Sequence, residues 1–187
     1  MSNQRKPLIF VVIAAAVVLS LFGAAFLVGK LEEQPNVTKA INAGSSATAA
    51  VIYATSFPDL EGVPQSLGQW SQKLLILNFW ATWCAPCIEE IPMLVRMQEK
   101  YAAAGLQIVG IAADSRLNSL NFAKKLSINY PVLPDDSRAI EFSKRVGNRL
   151  GLLPFSIVLS PSGEIVTTKL GVMTEAEIST FVEKYRR

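Results

Sequence analysis

The chain has 187 residues, half of them hydrophobic, a net charge of +3, two cysteines and no histidine. Without histidine, Ser-His-Asp and Cys-His catalytic sites, histidine metal ligands and imidazole pH switches are all excluded. Two cysteines are too few for a four-thiolate zinc site within one chain or for a scaffold of several disulfides. The small net charge gives no support to nucleic-acid binding, and the length suits one domain plus additional chain.

The N-terminal part of the chain contains an apolar run from Leu8 to Val28 without any ionisable side chain. As a helix, this run would extend about 31 Å, which matches the hydrocarbon thickness of a bilayer. Arg5 and Lys6 precede it, so the positive-inside rule puts the N-terminus in the cytoplasm and the rest of the chain outside. We therefore predict that residues 1–30 are a cytoplasmic stub and a signal-anchor transmembrane helix, in contact with the lipid bilayer. The alternative is a cleavable signal peptide, for which Gly23–Ala25 offers a small-residue cleavage site.

Residues 31–55 are rich in small and polar side chains and have no clear amphipathic period. This composition predicts a flexible linker between the anchor and a globular domain over residues 56–187. In the alternative interpretation, Val51–Tyr53 joins that domain as an edge strand.

The predicted domain alternates segments typical of strands with segments typical of helices. Its strongest strand signal is the nearly continuous apolar run Leu74–Trp80, which is typical of a strand buried on both faces. The predicted elements, in chain order, are strand 74–80, helix 84–104, strand 106–113, helices 117–125 and 137–146, strands 155–160 and 164–170, and a last helix opened by the capping box Thr174–Glu177. Gly105 is expected to end the first helix, and Pro161–Gly163 to turn a hairpin between the last two strands. The order predicts an α/β fold with a mixed central sheet flanked by helices.

The two cysteines, Cys84 and Cys87, lie where the first predicted strand meets the first predicted helix. Unpaired N–H groups and the dipole at a helix start stabilise a thiolate, so Cys84 is the predicted nucleophile toward disulfides. Cys87, one turn later and more buried, is the predicted resolving cysteine, which attacks the mixed disulfide. We predict a redox-active disulfide between the two, with no metal and no other cofactor.

Three other roles for the cysteine pair are weaker. A zinc half-site would need ligands from a second chain, and haem attachment would need a histidine where Ile88 stands. A purely structural disulfide across so short a loop would remove little chain entropy from the unfolded state.

The residues around the cysteines resemble the active-site signature of the TlpA/ResA-like branch of the thioredoxin superfamily. The resemblance rests on Asn78–Cys87 followed by Glu90 and Pro92, and it extends over roughly residues 55–187. It implies a thioredoxin-like fold and a membrane-anchored thiol-disulfide oxidoreductase that faces the periplasm or the cell exterior. Characterised members often serve cytochrome c maturation or the assembly of copper sites in oxidases.

The resemblance also implies a role for Glu90, which matches a family glutamate that handles protons near the cysteines. Ordinary thioredoxins hold a buried aspartate on the preceding strand, where this chain has Asn78, which cannot titrate. Glu90 is therefore the predicted proton-handling group. The alternative is a solvated carboxylate on the helix surface, like its neighbour Glu89.

Client binding is the second implied role. Pro154 corresponds to the family's cis-proline, and with Leu153 and Trp83 it is predicted to form the groove that holds the client's backbone. Phe155–Ser156 departs from the threonine that the family often has after this proline. Asp114 is expected to cap a helix or lie in a turn rather than take part in catalysis.

Together these features predict a protein-disulfide reductase in a bacterial inner membrane, single-pass, with its N-terminus cytoplasmic and its redox domain periplasmic. Its expected partners are a membrane electron donor of the thiol-disulfide transporter type and exported disulfide-containing clients, such as apocytochrome c or oxidase assembly factors. One alternative is a disulfide oxidase or isomerase of the DsbA type, although Ala85–Pro86 lacks the histidine that often accompanies oxidising character. Another alternative is a non-catalytic module that binds thiol or metal proteins.

Overall fold

The computed structural model describes residues 37–185, with side chains described from residue 45 onward. The predicted stub and signal-anchor, residues 1–30, lie outside the described residues. None of the helices within 37–185 is both long enough and apolar enough to cross a bilayer. The chain divides into two compact units, Met1–Ile41 and Asn42–Arg187, and the sheet and the cysteines belong to the second.

The elements of the described chain follow in this order: α1 (Val37–Tyr53), β1 (Ser56–Pro58), β2 (Pro64–Ser66), a 3-10 turn (Leu67–Trp70), β3 (Leu74–Trp80), α2 (Ala85–Tyr101) with a 3-10 extension (Ala102–Ala104), β4 (Leu106–Ala112), α3 (Arg116–Lys125), β5 (Val132–Pro134), α4 (Asp136–Arg145), β6 (Phe155–Leu159), β7 (Ile165–Leu170) and α5 (Glu175–Tyr185).

Five strands form a mixed sheet in the order β5-β4-β3-β6-β7. β3, β4 and β5 are mutually parallel, whereas β6 is antiparallel to β3 and β7 is antiparallel to β6. β3 lies in the centre with all seven residues buried, as its apolar run predicts. The prediction of an α/β fold with a mixed sheet and flanking helices is confirmed. Strand β5 and the separate β1–β2 hairpin are additions, because strands of three residues that contain proline leave little trace in a sequence.

Alternate residues of β3 point into two apolar cores on opposite faces of the sheet. The first core contains the odd-numbered residues of β3 together with Phe57 and with Phe142 of α4. The second core contains Leu74 and Ile76, with these side chains from α2 and α5: Leu94, Met97, Ile178 and Val182. Asn78, an even-numbered residue, therefore lies on the face that α2 and α5 cover.

Helix α1 occupies most of the range 31–55, where the sequence predicts a flexible linker. Ala49 and Ile52, three residues apart and so on one helix face, are buried in the first core. Val51–Tyr53 is the last turn of this helix and not an edge strand. Among the described side chains of α1, only Ala49 and Ile52 are buried, so its amphipathic period is too weak to read from the sequence.

Asp114 ties the loop between β3 and α2 to the start of α3. Its carboxylate accepts hydrogen bonds from the Thr82 hydroxyl and N–H (3.3 Å), from the Ser115 N–H (2.7 Å) and from Asn118 Nδ2 (2.8 Å). Burial would raise the pKa of Asp114, but these hydrogen bonds outweigh burial and the pKa is lowered. Ser115, not Asp114, caps α3. Asp114 thus accepts two of its four hydrogen bonds from Thr82, which lies two residues before Cys84.

The burial of α1 can be tested at Ile52, which is 0% exposed next to Val51, which is 37% exposed. Ile52→Ala is expected to lower the free energy of unfolding by about 2–5 kcal/mol, because it leaves a cavity in the first core. Val51→Ala is the matched control and should change it by less than about 0.5 kcal/mol. Urea denaturation of the full chain measures both, and equal small effects would contradict the packing of α1.

The lowered pKa of Asp114 predicts a pH-dependent contribution to stability. The charged form contributes fully above the pKa of an unfolded aspartate, about 3.9, and the contribution is lost as pH falls through the lower folded pKa. Asp114→Asn places an amide N–H₂ against hydrogen-bond donors and should lower the free energy of unfolding by about 1–3 kcal/mol at neutral pH. The difference in the free energy of unfolding between this variant and the wild type should shrink as the pH falls below about 4. Denaturation between neutral and acidic pH measures this, with the exposed Asp136→Asn as control; a difference that does not vary with pH would refute it.

Candidate active site

Cys84 and Cys87 form a disulfide at the N-terminus of α2, and their Cα atoms are 5.3 Å apart. Cys84 is the N-cap residue, and no side chain caps the helix there. Its carbonyl accepts the N–H groups of Cys87 and Ile88, each at 3.1 Å, which is how the first turn closes. Cys84 is 6% exposed and Cys87 is fully buried, so the outer sulfur is the one that a client can approach. In the reduced form the Cys84 thiolate would face the positive end of the α2 dipole.

Glu90 is buried beside this pair, three residues after Cys87 on the same helix, and is 2% exposed. Its Oε2 accepts a hydrogen bond from Asn78 Nδ2 at 2.9 Å, and its Oε1 accepts one from the Met173 N–H at 2.6 Å. The alternative of a solvated surface carboxylate is therefore wrong for Glu90, although Glu89 is exposed.

The pKa of Glu90 is raised, and burial is the main cause. The hydrogen bonds from Met173 and Asn78 and the positive charge of Lys169 lower this pKa only in part, while the negative charge of Glu177 raises it further. Lys169 and Glu177 form an ion pair at the outer side of the site. Glu90 is therefore a carboxyl group whose proton affinity is increased by desolvation, which suits it to accept and return a proton.

Asn78 belongs to a row of paired residues that crosses the sheet. In the sheet register Asn78 lies between Gly110 of β4 and Ser156 of β6, and Ser156 pairs in turn with Lys169 of β7. Asn78 Nδ2 also donates to Ser156 Oγ at 3.1 Å, so one amide group holds Glu90 and Ser156 together. Ser156 is thus a buried part of the Glu90 environment.

Tyr130 is a buried neighbour that the sequence does not identify. Burial raises its pKa, and the charge of Glu90 raises it further, so the phenol stays protonated at neutral pH. Its ring lies near Gly110, because a Cβ on that glycine would stand 3.3 Å from the ring of Tyr130 and 2.9 Å from Trp80 Nε1. Trp80 is fully buried in the core.

The predicted client groove lies at the same end of the sheet. Phe79 pairs with Phe155, so Pro154 lies beside the end of β3 that leads to the cysteines. The Leu153–Pro154 peptide bond is cis, as predicted, and the Pro154 carbonyl accepts the Gly171 N–H at 2.8 Å. Leu153 is half-buried, whereas Trp83 is 69% exposed. Within residues 37–185, no three cysteine, aspartate or glutamate side chains are grouped so that they could hold a metal ion.

Known proteins that are similar to this chain include thiol-disulfide oxidoreductases. The family model Redoxin matches residues 35–184 of the chain. The chain is 30% identical over 145 residues to the thiol-disulfide oxidoreductase ResA of Bacillus subtilis (strain 168), covering 77% of this chain and 76% of that protein. It is 32% identical over 127 residues to the ResA protein of Bacillus cereus (strain ZK / E33L), covering 67% of this chain and 71% of that protein.

A solved structure of a thioredoxin family protein is also similar to this chain. The crystal structure of a thiol:disulfide interchange protein of the thioredoxin family from Chlorobium tepidum TLS superposes with a TM-score of 0.63 at 31% sequence identity, covering 70% of this chain and 92% of that one. The thioredoxin-like fold and the protein-disulfide oxidoreductase activity expected from the sequence are confirmed by these relatives. The chain therefore belongs to the Redoxin family, in which it is a thioredoxin-fold thiol-disulfide oxidoreductase related to ResA.

Proposed function

We propose that this oxidoreductase works as a membrane-tethered reductase outside the cytoplasm and transfers electrons to disulfides of exported proteins. The observation that carries the proposal is the pairing of a helix-capping cysteine, Cys84, with a resolving cysteine, Cys87, beside the buried carboxyl group of Glu90. This arrangement supports two consecutive thiol-disulfide exchanges with an internal proton acceptor.

The first exchange uses Cys84. Its thiolate, stabilised at the start of α2, attacks one sulfur of the client disulfide; a mixed disulfide forms and the client's other sulfur leaves as a thiolate. Cys84, at 6% exposed, is the more accessible cysteine of the pair, since Cys87 is fully buried.

The second exchange uses Cys87. Its sulfur attacks Cys84 Sγ in the mixed disulfide, the Cys84–Cys87 disulfide forms, and the client is released with its second thiol. The thiol of buried Cys87 must lose its proton first, and Glu90, with its raised pKa, is the buried carboxyl group on the same helix. In total two electrons and two protons pass to the client, and a donor dithiol returns them to the enzyme.

Client binding would use the groove around the cis-proline. No backbone hydrogen bond from Leu153 to another described residue competes for its N–H or its carbonyl, so both are free to pair with an extended client segment. Trp83, exposed beside Cys84, adds an apolar contact for the same segment.

The cellular setting of the proposal rests on the sequence. The apolar run Leu8–Val28 with Arg5 and Lys6 before it supports a single-pass inner-membrane protein with its redox domain on the periplasmic side. In that setting the reductant would be a membrane electron donor of the thiol-disulfide transporter type. The clients would be exported cysteine proteins such as apocytochrome c or oxidase assembly factors.

A reducing direction predicts a low reduction potential for the Cys84–Cys87 pair. We expect a value well below about −200 mV, because Ala85–Pro86 between the cysteines provides no charge that would stabilise the reduced form. Equilibration of the full chain with glutathione or dithiothreitol buffers measures the potential, and insulin-disulfide reduction measures turnover. Cys87→Ala is the control and should form mixed disulfides without turnover. A potential near about −120 mV would indicate an oxidase instead, and a dithiol that never exchanges would indicate a binding module.

The proton-handling role of Glu90 predicts a changed thiol titration in Glu90→Gln. Removing the carboxylate should lower the pKa of the cysteine thiols by about one unit, because a nearby negative charge disfavours a thiolate. Loss of the proton acceptor should slow the release of client from the mixed disulfide by about 100-fold. Thiolate ultraviolet absorbance against pH and single-turnover kinetics measure the two effects. The exposed neighbour substitution Glu89→Gln is the matched control, and an unchanged titration in Glu90→Gln would remove the role from Glu90.

A further inference from the structure

A groove lies behind the cis-proline, between the edge strand β7 and the loop that follows α4. Its volume is about 490 Å³, and it is lined mainly by Gly147, Arg149, Leu150, Phe155, Thr168 and Leu170. A Cβ on Gly147 would stand 3.8 Å from both Phe155 Cζ and Thr168 Cγ2, so the loop lies directly against the two strands. We call this feature the β7 groove.

The walls of the β7 groove expose an unusual amount of apolar surface. Leu150 is 73% exposed and Leu170 is 50% exposed, and Leu152, beside the groove, is 52% exposed. Thr168 and Leu170 lie two residues apart on β7 and so share a sheet face. A soluble domain rarely gathers large exposed apolar side chains in this way unless they bind something.

The loop that carries Leu150 and Leu152 is held in place by the buried Asn148. Asn148 Nδ2 donates to the Leu152 carbonyl at 2.8 Å and to Ser143 Oγ at 3.2 Å, and Asn148 Oδ1 accepts the Leu152 N–H at 3.3 Å. The Asn148 carbonyl also accepts the Gly151 N–H at 2.9 Å. The exposed leucines are therefore presented by an ordered loop, which lowers the entropy cost of binding a partner.

The charge at the groove is positive. Arg149 lines it, and within the described part of the chain its guanidinium has no ion pair or hydrogen bond with another residue. Lys144, whose Cε lies 2.8 Å from the position of a Cβ on Gly151, pairs with Glu141 on α4. No acidic side chain lines the groove within residues 37–185, so its electrostatic complement is a carboxylate.

The β7 groove is continuous with the site where a client would react. Phe155 follows Pro154 directly, and Leu170 precedes Gly171, whose N–H is bonded to the Pro154 carbonyl. We propose that the β7 groove is a second docking site for clients, and that it binds an apolar side chain with an adjacent carboxylate in an extended segment next to the client's reactive cysteine. This inference rests on the proposed function and specifies which clients the enzyme prefers.

The test uses synthetic peptide disulfides and the full chain in its reduced form. In one series a Leu-Glu pair is moved one residue at a time away from the reactive cysteine, and in a second series Leu-Lys replaces it. Each kcat/KM is divided by the kcat/KM for a small aromatic disulfide, which is too short to reach the groove. We expect one position of Leu-Glu to react about tenfold faster than its Leu-Lys counterpart, a ratio that corresponds to about 1.4 kcal/mol.

Variants assign the preference to the groove. Arg149→Glu should reverse the preference, so that Leu-Lys becomes the better peptide, and Leu170→Ser should remove the preference for leucine. Lys73→Glu and Val63→Ser are matched controls, because both residues are exposed and lie outside the groove; neither should alter the ratio.

Two results would overturn the proposal. Equal reaction of all peptides, with exchange itself intact, would show that the groove does not select clients. Self-association of the wild-type protein that Leu170→Ser abolishes would assign the groove to a second copy of the chain. Failure of the wild type to reduce any disulfide would instead refute the proposed function, so the two outcomes are separable.

Discussion

The active site depends on one carboxyl group kept out of water. Glu90 on α2 is bonded to Asn78 on the central strand and to the Met173 N–H before α5, so its position fixes three elements relative to the cysteines. Burial of an acid without a cationic partner in contact costs free energy unless it is protonated or hydrogen-bonded, and the site uses hydrogen bonds from neutral donors. The result is a carboxyl group whose pKa is raised and whose two oxygens each accept a hydrogen bond.

The sequence was sufficient to predict the parts of this site that depend on local pattern. The continuous apolar run Leu74–Trp80, the helix that begins at Cys84 and the left-handed Gly105 after it all follow from rules of burial and helix termination. The capping box also forms, with the Glu177 N–H bonded to Thr174 Oγ1 at 3.2 Å. The cysteine spacing and these elements together are enough to predict from the sequence that Cys84 lies at the start of the helix.

Features that depend on pairing between distant residues could not be predicted in this way. The register that puts Asn78 beside Ser156 joins residues far apart in sequence, and nothing local marks Asn78 as a partner of Glu90 or Ser156 as a partner of Asn78. The hydrogen bond between Asp114 and Thr82 also links two loops that are far apart in sequence, so no local pattern indicates it. The sequence does not identify helix α1, because only Ala49 and Ile52 of its described side chains are buried and tertiary contacts rather than periodicity define it.

One of the two hydrogen bonds to Glu90 comes from the main chain, at the Met173 N–H, rather than from a side chain. The Met173 N–H is two residues from Gly171, whose own N–H is bonded to the Pro154 carbonyl at the client groove. No change of side chain at position 173, other than to proline, removes the donor, so this input to the acidity of Glu90 is set by backbone position. Under the proposed function, a client segment that displaced the Pro154 backbone would act on this same short segment, so client docking would be linked to the proton affinity of Glu90.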